Sequence, residues 1–235
     1  MADGKNNMEK LNVIYEDNHI IVVEKMVNIP SQADKTGDLD MLTLIKQYIK
    51  EKYQKPGNVY LGLIHRLDRP VGGVMVFAKT SKAAARLSEQ VREKTFKKKY
   101  LVIVDGKLEE KEGVWEDYLL KNEKTNTSKV VPEGTKNSKL AKLDYQVLKY
   151  NEETNLSLVK VNLHTGRHHQ IRVQFASRNH SICGDQKYGT RGRGKQISLW
   201  AYELSILHPI TKQEMTFKCL PKKQGPWVIL ENVEI

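Results

Sequence analysis

Residues that can do chemistry cluster in three short segments. The first is Ile64-His65-Arg66-Leu67-Asp68-Arg69-Pro70, which sets one carboxylate between two guanidinium groups just ahead of an apolar run at 73–78. A carboxylate beside Arg⁺ is held in its ionised form, which suits a nucleophile or a general base. The same spacing fits a plain surface ion pair. The second is Lys97-Lys98-Lys99-Tyr100 at the head of another apolar run. The Tyr100 ring could stack on a base and its hydroxyl could move a proton, or the ring could fill the rim of a core. With Arg92 and Lys94, residues 92–99 hold five basic side chains against the one acid Glu93, a pattern that also describes a solvated face.

The third segment runs from Leu163 through His164-Thr165-Gly166-Arg167-His168-His169-Gln170-Ile171-Arg172 to Val173. The spacing predicts a helix entered after Gly166, whose first amides would favour an anion together with Arg167, His168 and His169. A zinc site is disfavoured. His164 and His168 are four apart, but Gly166 lies between them, no Glu follows His164 and no third ligand is in view. Gly189 to Lys195 has the spacing of a phosphate-binding loop. Gln196 stands where a magnesium-holding Ser or Thr is needed, and no apolar strand precedes the loop. Lys187, Arg191, Arg193 and Lys195 make this stretch basic, so it reads as an RNA-touching loop or as a solvated glycine loop.

The elements that must position these residues are a mixture of strands and helices. Strands are expected at 11–15 and 20–23, with a turn-forming Glu16-Asp17-Asn18 between them, and at 73–78 and 100–104. Further strands are expected at 114–120, 140–149, 156–163, 197–207, 214–220 and 227–230. A helix from Leu39 to Tyr53 would start at an Asp38 cap, and a second from a Ser81 cap would reach Phe96. Lys121 to Ser138 is polar and reads as a long loop or an exposed hairpin. One α+β domain over 11–235 with a large sheet is the simplest reading, after a flexible tail at 1–10. No separate N-terminal RNA-binding domain is expected.

The chain has 235 residues, 39 Lys plus Arg and 28 Asp plus Glu, for a net charge of +11. That charge attracts polyanions. Cys183 and Cys219 are too few for a disulfide framework or a four-cysteine metal site. No apolar run approaches the roughly 20 residues of a membrane helix, and the first residues lack the apolar core of a signal peptide. A cytoplasmic, monomeric protein is the expectation.

In order along the chain, these pieces resemble the RluA branch of the pseudouridine synthases. The resemblance rests on Tyr15-Glu16-Asp17-Asn18, His65-Arg66-Leu67-Asp68, Gly73, Phe77-Ala78-Lys79 and Lys98-Lys99-Tyr100. It continues through Thr165-Gly166-Arg167, His169-Gln170-Ile171-Arg172-Val173, Gly184-Asp185, Tyr188-Gly189 and His208-Pro209. It implies a mixed, largely antiparallel sheet with flanking helices and a central cleft. It also implies isomerisation of uridine in ribosomal or transfer RNA without a cofactor or metal. By resemblance Asp68 is the catalytic aspartate, Arg66 helps displace the target base, Tyr100 lies against that base, and Arg172 pairs with Asp68. Expected RNA contacts are Arg66, Arg69, Lys98, Lys99, Arg167, His168, His169, Lys187, Arg191 and Arg193. The chain departs from the family pattern at Val71-Gly72, where Thr-Ser is usual, at Met26, at His168 and at Gln174. Two other classes stay open on the residues alone: a catalytically silent RNA-binding or ribosome-assembly protein on the same fold, and a glycosidic-bond hydrolase with paired carboxylates, for which Asp185 is the only second acid in a motif-like setting. Asp185 reads more simply as a structural turn acid.

Overall fold

The computed structural model describes residues 11–189 and 194–235. Its contacts form two compact units, one reaching to Phe96 and including Ala201–Cys219, the other comprising Lys97–Trp200 and Leu220–Ile235. Each unit is a sheet with helices.

In the first unit, β1 (Asn12–Glu16) and β2 (Ile20–Lys25) form an antiparallel hairpin. Asp17 closes its turn, its Oδ1 accepting the N–H groups of His19 at 2.7 Å and Ile20 at 2.8 Å. Strand β2 pairs antiparallel with β4 (Gly72–Ala78), and the two-residue β3 (Gly62–Leu63) pairs with the end of β4. Beyond β4 comes β10 (Leu199–Leu207), then β11 (Glu214–Lys218) antiparallel to it. Every residue of β4 is buried, as a continuous apolar run predicts for a strand covered on both faces. Gly73 sits at φ +126°, and a Cβ there would lie 2.1 Å from the Ala201 carbonyl oxygen. Only glycine lets these two strands approach so closely.

Helix α1 (Met41–Lys52) buries Met41, Leu44, Ile45 and Ile49. Its cap is Asp40, which accepts from the N–H groups of Leu42 and Thr43, so the start lies two residues past the predicted Asp38. Helix α2 (Ser81–Arg92) is capped by Thr80 rather than Ser81 and ends before Lys94, which takes φ +61°. Ala83 and Leu87 of α2 pack with Ile20, Val22, Val74, Val76 and Ile206.

The second unit holds β5 (Lys97–Asp105), β6 (Glu112–Asn122), β7 (Thr127–Val131), β8 (Lys139–Asn151) and β9 (Leu156–Leu163). Their order is β5-β9-β8-β6-β7, with every neighbouring pair antiparallel. The polar stretch 121–138 is therefore a hairpin, β6 turning into β7 through Asn126 at φ +48°. Helix α3 (Gln170–Ala176) follows β9 after a loop. The strand predicted at 227–230 is instead a turn of 3₁₀ helix, Gly225–Leu230, with Pro at its start and Trp227, Ile229 and Leu230 buried. Trp227 and Ile229 are two apart and mimic a strand, whereas Pro226 has the φ that opens a helical turn. The architecture is α+β, and among the described residues no helix is long and apolar enough to cross a membrane.

Candidate active site and nucleic-acid interface

In the first unit, the loop carrying Asp68 is tied down from several sides. The Ser31 hydroxyl donates to the Leu67 carbonyl at 2.8 Å and accepts the Leu67 N–H at 3.1 Å. The Lys25 ammonium donates to the carbonyls of Val71 at 2.6 Å, Arg69 at 3.0 Å and Met26 at 3.1 Å. The Asn28 N–H reaches the same Arg69 carbonyl, and the Val71 N–H donates back to the Asp68 carbonyl at 2.9 Å. His65 accepts the Val76 N–H on Nε2 and meets the Phe96 ring edge-on. These bonds fix the backbone on both sides of Asp68, whose side chain is half-buried.

Lys25 is wholly buried. Burial pushes its ammonium down to about 7, against the upward pull of the Asp68 carboxylate and with a further push down from Arg69. Arg66 is exposed, and among the described residues its guanidinium has no bonded partner. Arg69 is different. It donates to the Thr36 hydroxyl at 3.1 Å, pairs with Asp38, and lies 3.8 Å from Asp34. The acidic loop at 34–38 thus already neutralises a cation expected to meet RNA.

In the second unit, Tyr100 is buried on β5 opposite Val161 of β9. Lys98 is half-buried, and burial pushes its ammonium down. Its Nζ lies against the backbone at Gly166, where a Cβ would be 3.4 Å away. Arg167 donates through Nε to the Leu140 carbonyl at 2.8 Å. The anion-binding helix start expected here is absent. Helix α3 opens only at Gln170, after His169 at φ +53°. The Arg167 N–H donates instead to the Gln170 side-chain oxygen, which also accepts from the Thr165 hydroxyl. His168 Nδ1 bonds the Ser128 hydroxyl at 2.9 Å while its ring stacks 3.7 Å from that of His169. His164 pairs with Asp144, so the two histidines four apart serve different partners. Lys187 donates to the Asn126 carbonyl at the hairpin tip. Arg191 and Arg193 lie outside the described residues.

Sequence reasoning gave Asp185 only a turn role, and it has a second. Arg172, 4% exposed, donates Nε and an Nη to the two carboxylate oxygens of Asp185 at 2.8 and 2.7 Å. Asp185 also accepts the N–H groups of Lys187 and Tyr188. Burial pushes the Asp185 carboxyl up, but Arg172 and the two amides outweigh it and hold it below the usual carboxylate range. The Tyr188 ring lies 5.2 Å under the Arg172 guanidinium, and its hydroxyl accepts the Ser128 N–H and bonds His169 Nδ1. The glycines frame this turn. A Cβ on Gly184, at φ +78°, would lie 2.1 Å from the Gln196 carbonyl oxygen, and one on Gly189 would lie 2.4 Å from that of Asp185. That glycine-acid-aromatic-glycine spacing was the available signal.

An antiparallel sheet with short helices, a tethered carboxylate loop and cations left open to an anion defines an α+β protein equipped for a polyanionic substrate. Residues 19–177 match the family described as RNA pseudouridylate synthase, and the chain belongs to that family, in its RluA branch, whose members are isomerases. It is 34% identical to the uncharacterized RNA pseudouridine synthase YhcT of Bacillus subtilis, over 87% of this chain and 66% of that one. The chain thus spans about two-thirds of that relative's length. It is 31% identical to the dual-specificity RNA pseudouridine synthase RluA of Yersinia pestis, over 88% of this chain and 97% of that one. Among solved structures, human RNA pseudouridylate synthase domain containing 4 shares the fold with a TM-score of 0.80, at 23% identity over 99% of this chain and 98% of that one.

Proposed function

We propose that this chain isomerises uridines in structured RNA to pseudouridine, with Asp68 as the catalytic carboxylate. The observation that carries this reading is the Asp68 loop itself. Lys25 and Ser31 clamp its backbone, while the neighbouring Arg66 is left exposed to meet RNA. Relatives named for the large ribosomal subunit and for tRNA both match the chain, and both RNA classes are substrates in this proposal.

The isomerisation is redox-neutral and takes up no atom. The N1–C1′ bond breaks, the uracil turns, and C5 bonds C1′ while its proton is lost and N1 gains one. An ionised carboxylate serves this either by attacking C1′ or by taking a sugar proton to give a glycal. The uridine must first leave its stack, at a cost of a few kcal/mol. Arg66 occupies the place of the extruded base, Tyr100 lies against the uracil and assists removal of the C5 proton, and Arg172 supplies the positive partner of the Asp68 carboxylate. Contacts from Lys and Arg to flanking phosphates offset the extrusion cost.

The test is Asp68→Asn. Tritium release from RNA labelled at uridine C5 falls to background, while the melting temperature and RNA affinity stay near wild type. Wild-type release by the variant removes Asp68 from the chemistry. Free uracil in place of pseudouridine would reassign the reaction to hydrolysis.

A further inference from the structure

We infer that a groove in the second unit, bounded by the β6–β7 hairpin, the chain entering β8 at 137–139 and the Gly166–His168 loop, is a binding subsite for the RNA backbone. The inference rests on the proposal above that RNA is the substrate. The groove has a volume of about 590 Å³. Lys121, Lys139 and Arg167 line it, against the single carboxylate of Glu123, and Ser128, Asn137 and Ser138 add neutral polar groups. Leu119 and Leu120 of β6 also line it.

The state of the cations indicates what the groove takes. Among the described residues the Lys139 ammonium has no ionic or hydrogen-bond partner. Arg167 spends Nε on the Leu140 carbonyl, which orients the guanidinium and leaves its terminal nitrogens for a bidentate contact. Such a fork fits a phosphodiester better than a point charge does. Lys121 pairs with Glu123 at 2.6 Å, but Glu123 is largely exposed, so that pair is weak and exchangeable. Behind Gly166 lies the Lys98 ammonium, partly desolvated and unpaired among the described residues. A cation that has lost water without gaining a counter-ion is stabilised by an arriving anion. The groove along Lys99, Glu112, Asp144 and Lys160 contrasts with it, since acids there match the bases.

The experiment measures affinity of the full chain for a labelled tRNA transcript and, separately, a labelled ribosomal RNA hairpin, over a range of salt. The Lys121→Gln, Lys139→Gln double variant is compared with a control of equal charge change, Lys222→Gln with Lys223→Gln, two exposed lysines outside the groove. Circular dichroism melting checks that both are folded. The groove variant is expected to bind about tenfold more weakly, with a log–log salt slope shallower by about one to two, as each lost phosphate contact removes roughly 0.7–0.9. The control stays near wild type. Equal affinities and slopes for the two variants on both RNAs overturn the subsite. Binding is read without turnover, so a wild-type chain that makes no pseudouridine would overturn the proposed reaction and leave this result standing.

Discussion

Lys25 shows how much a single residue can do without touching substrate. A wholly buried lysine is expensive, and this one is retained with its ammonium on three backbone carbonyls, two of them in the loop of Asp68. Lys25→Met keeps the bulk and removes the donors. The Val71 carbonyl then loses its 2.6 Å donor, and an orphaned buried acceptor costs about 1–3 kcal/mol. The pH dependence has a definite sign. The folded chain gives up the Lys25 proton at about 7 instead of at the ordinary 10.5. Between those values the unfolded chain binds more protons, so wild-type stability rises with pH across that window. The cost of burying the charge is complete below it. Urea titrations over this range should show Lys25→Met lacking the rise. Parallel curves for the two proteins would mean that position 25 carries the same charge folded and unfolded.

Elements of secondary structure were legible where period and burial agree. The apolar runs of β2, β4 and β5 and the alternation in β6 could be read because sheet pairing demands them. The starts of α1 and α2 were off by one or two residues, because Asp38, Asp40, Thr80 and Ser81 are all competent caps. Tertiary demand decides among them, with Asp38 used on Arg69 and Asp40 on α1. The site divides in the same way. Asp68 and Tyr100 were marked as candidates by residue type and setting and Arg172 by the resemblance, but the Asp185 partner of Arg172 depends on a turn whose closeness to α3 is a property of the fold. Glu16 was likewise opaque. It accepts from Lys52, Lys79, Tyr48 and Tyr53, drawn from α1, the residue beyond it and the end of β4. The turn after Gly184 yields a prediction at this scale. Removing either member of the Arg172–Asp185 pair takes a buried counter-ion from the other, so Arg172→Ala and Asp185→Ala should each lose about 3–5 kcal/mol. The double variant should lose less than the two together, since both changes break one interaction. Additive losses in denaturant titration would show the pair to be uncoupled.

For the whole molecule, the question is how much of the +11 charge acts on RNA. Net charge sets long-range attraction, but counter-ion release counts only cations that meet phosphates. Many here are committed inside the protein: Lys25 to carbonyls, Lys79 and Lys52 to Glu16, Arg69 to Asp34 and Asp38, Arg172 to Asp185, Arg178 to Asp117. In the Asp68 loop and around the groove proposed above, those among the described residues that are open to an anion, or only weakly held, are Arg66, Lys98, Lys121, Lys139 and Arg167. At roughly 0.7–0.9 per phosphate contact, this set implies a slope of about −4 for log kcat/KM against log salt. If every unit of net charge met a phosphate, the slope would instead be about −8 to −10. Turnover of a tRNA or ribosomal RNA transcript at subsaturating concentration, followed from low to physiological salt, separates the two. A slope near the steeper value would mean that RNA meets cations beyond this set, such as exposed lysines elsewhere on the surface or Arg69 drawn from Asp34 and Asp38.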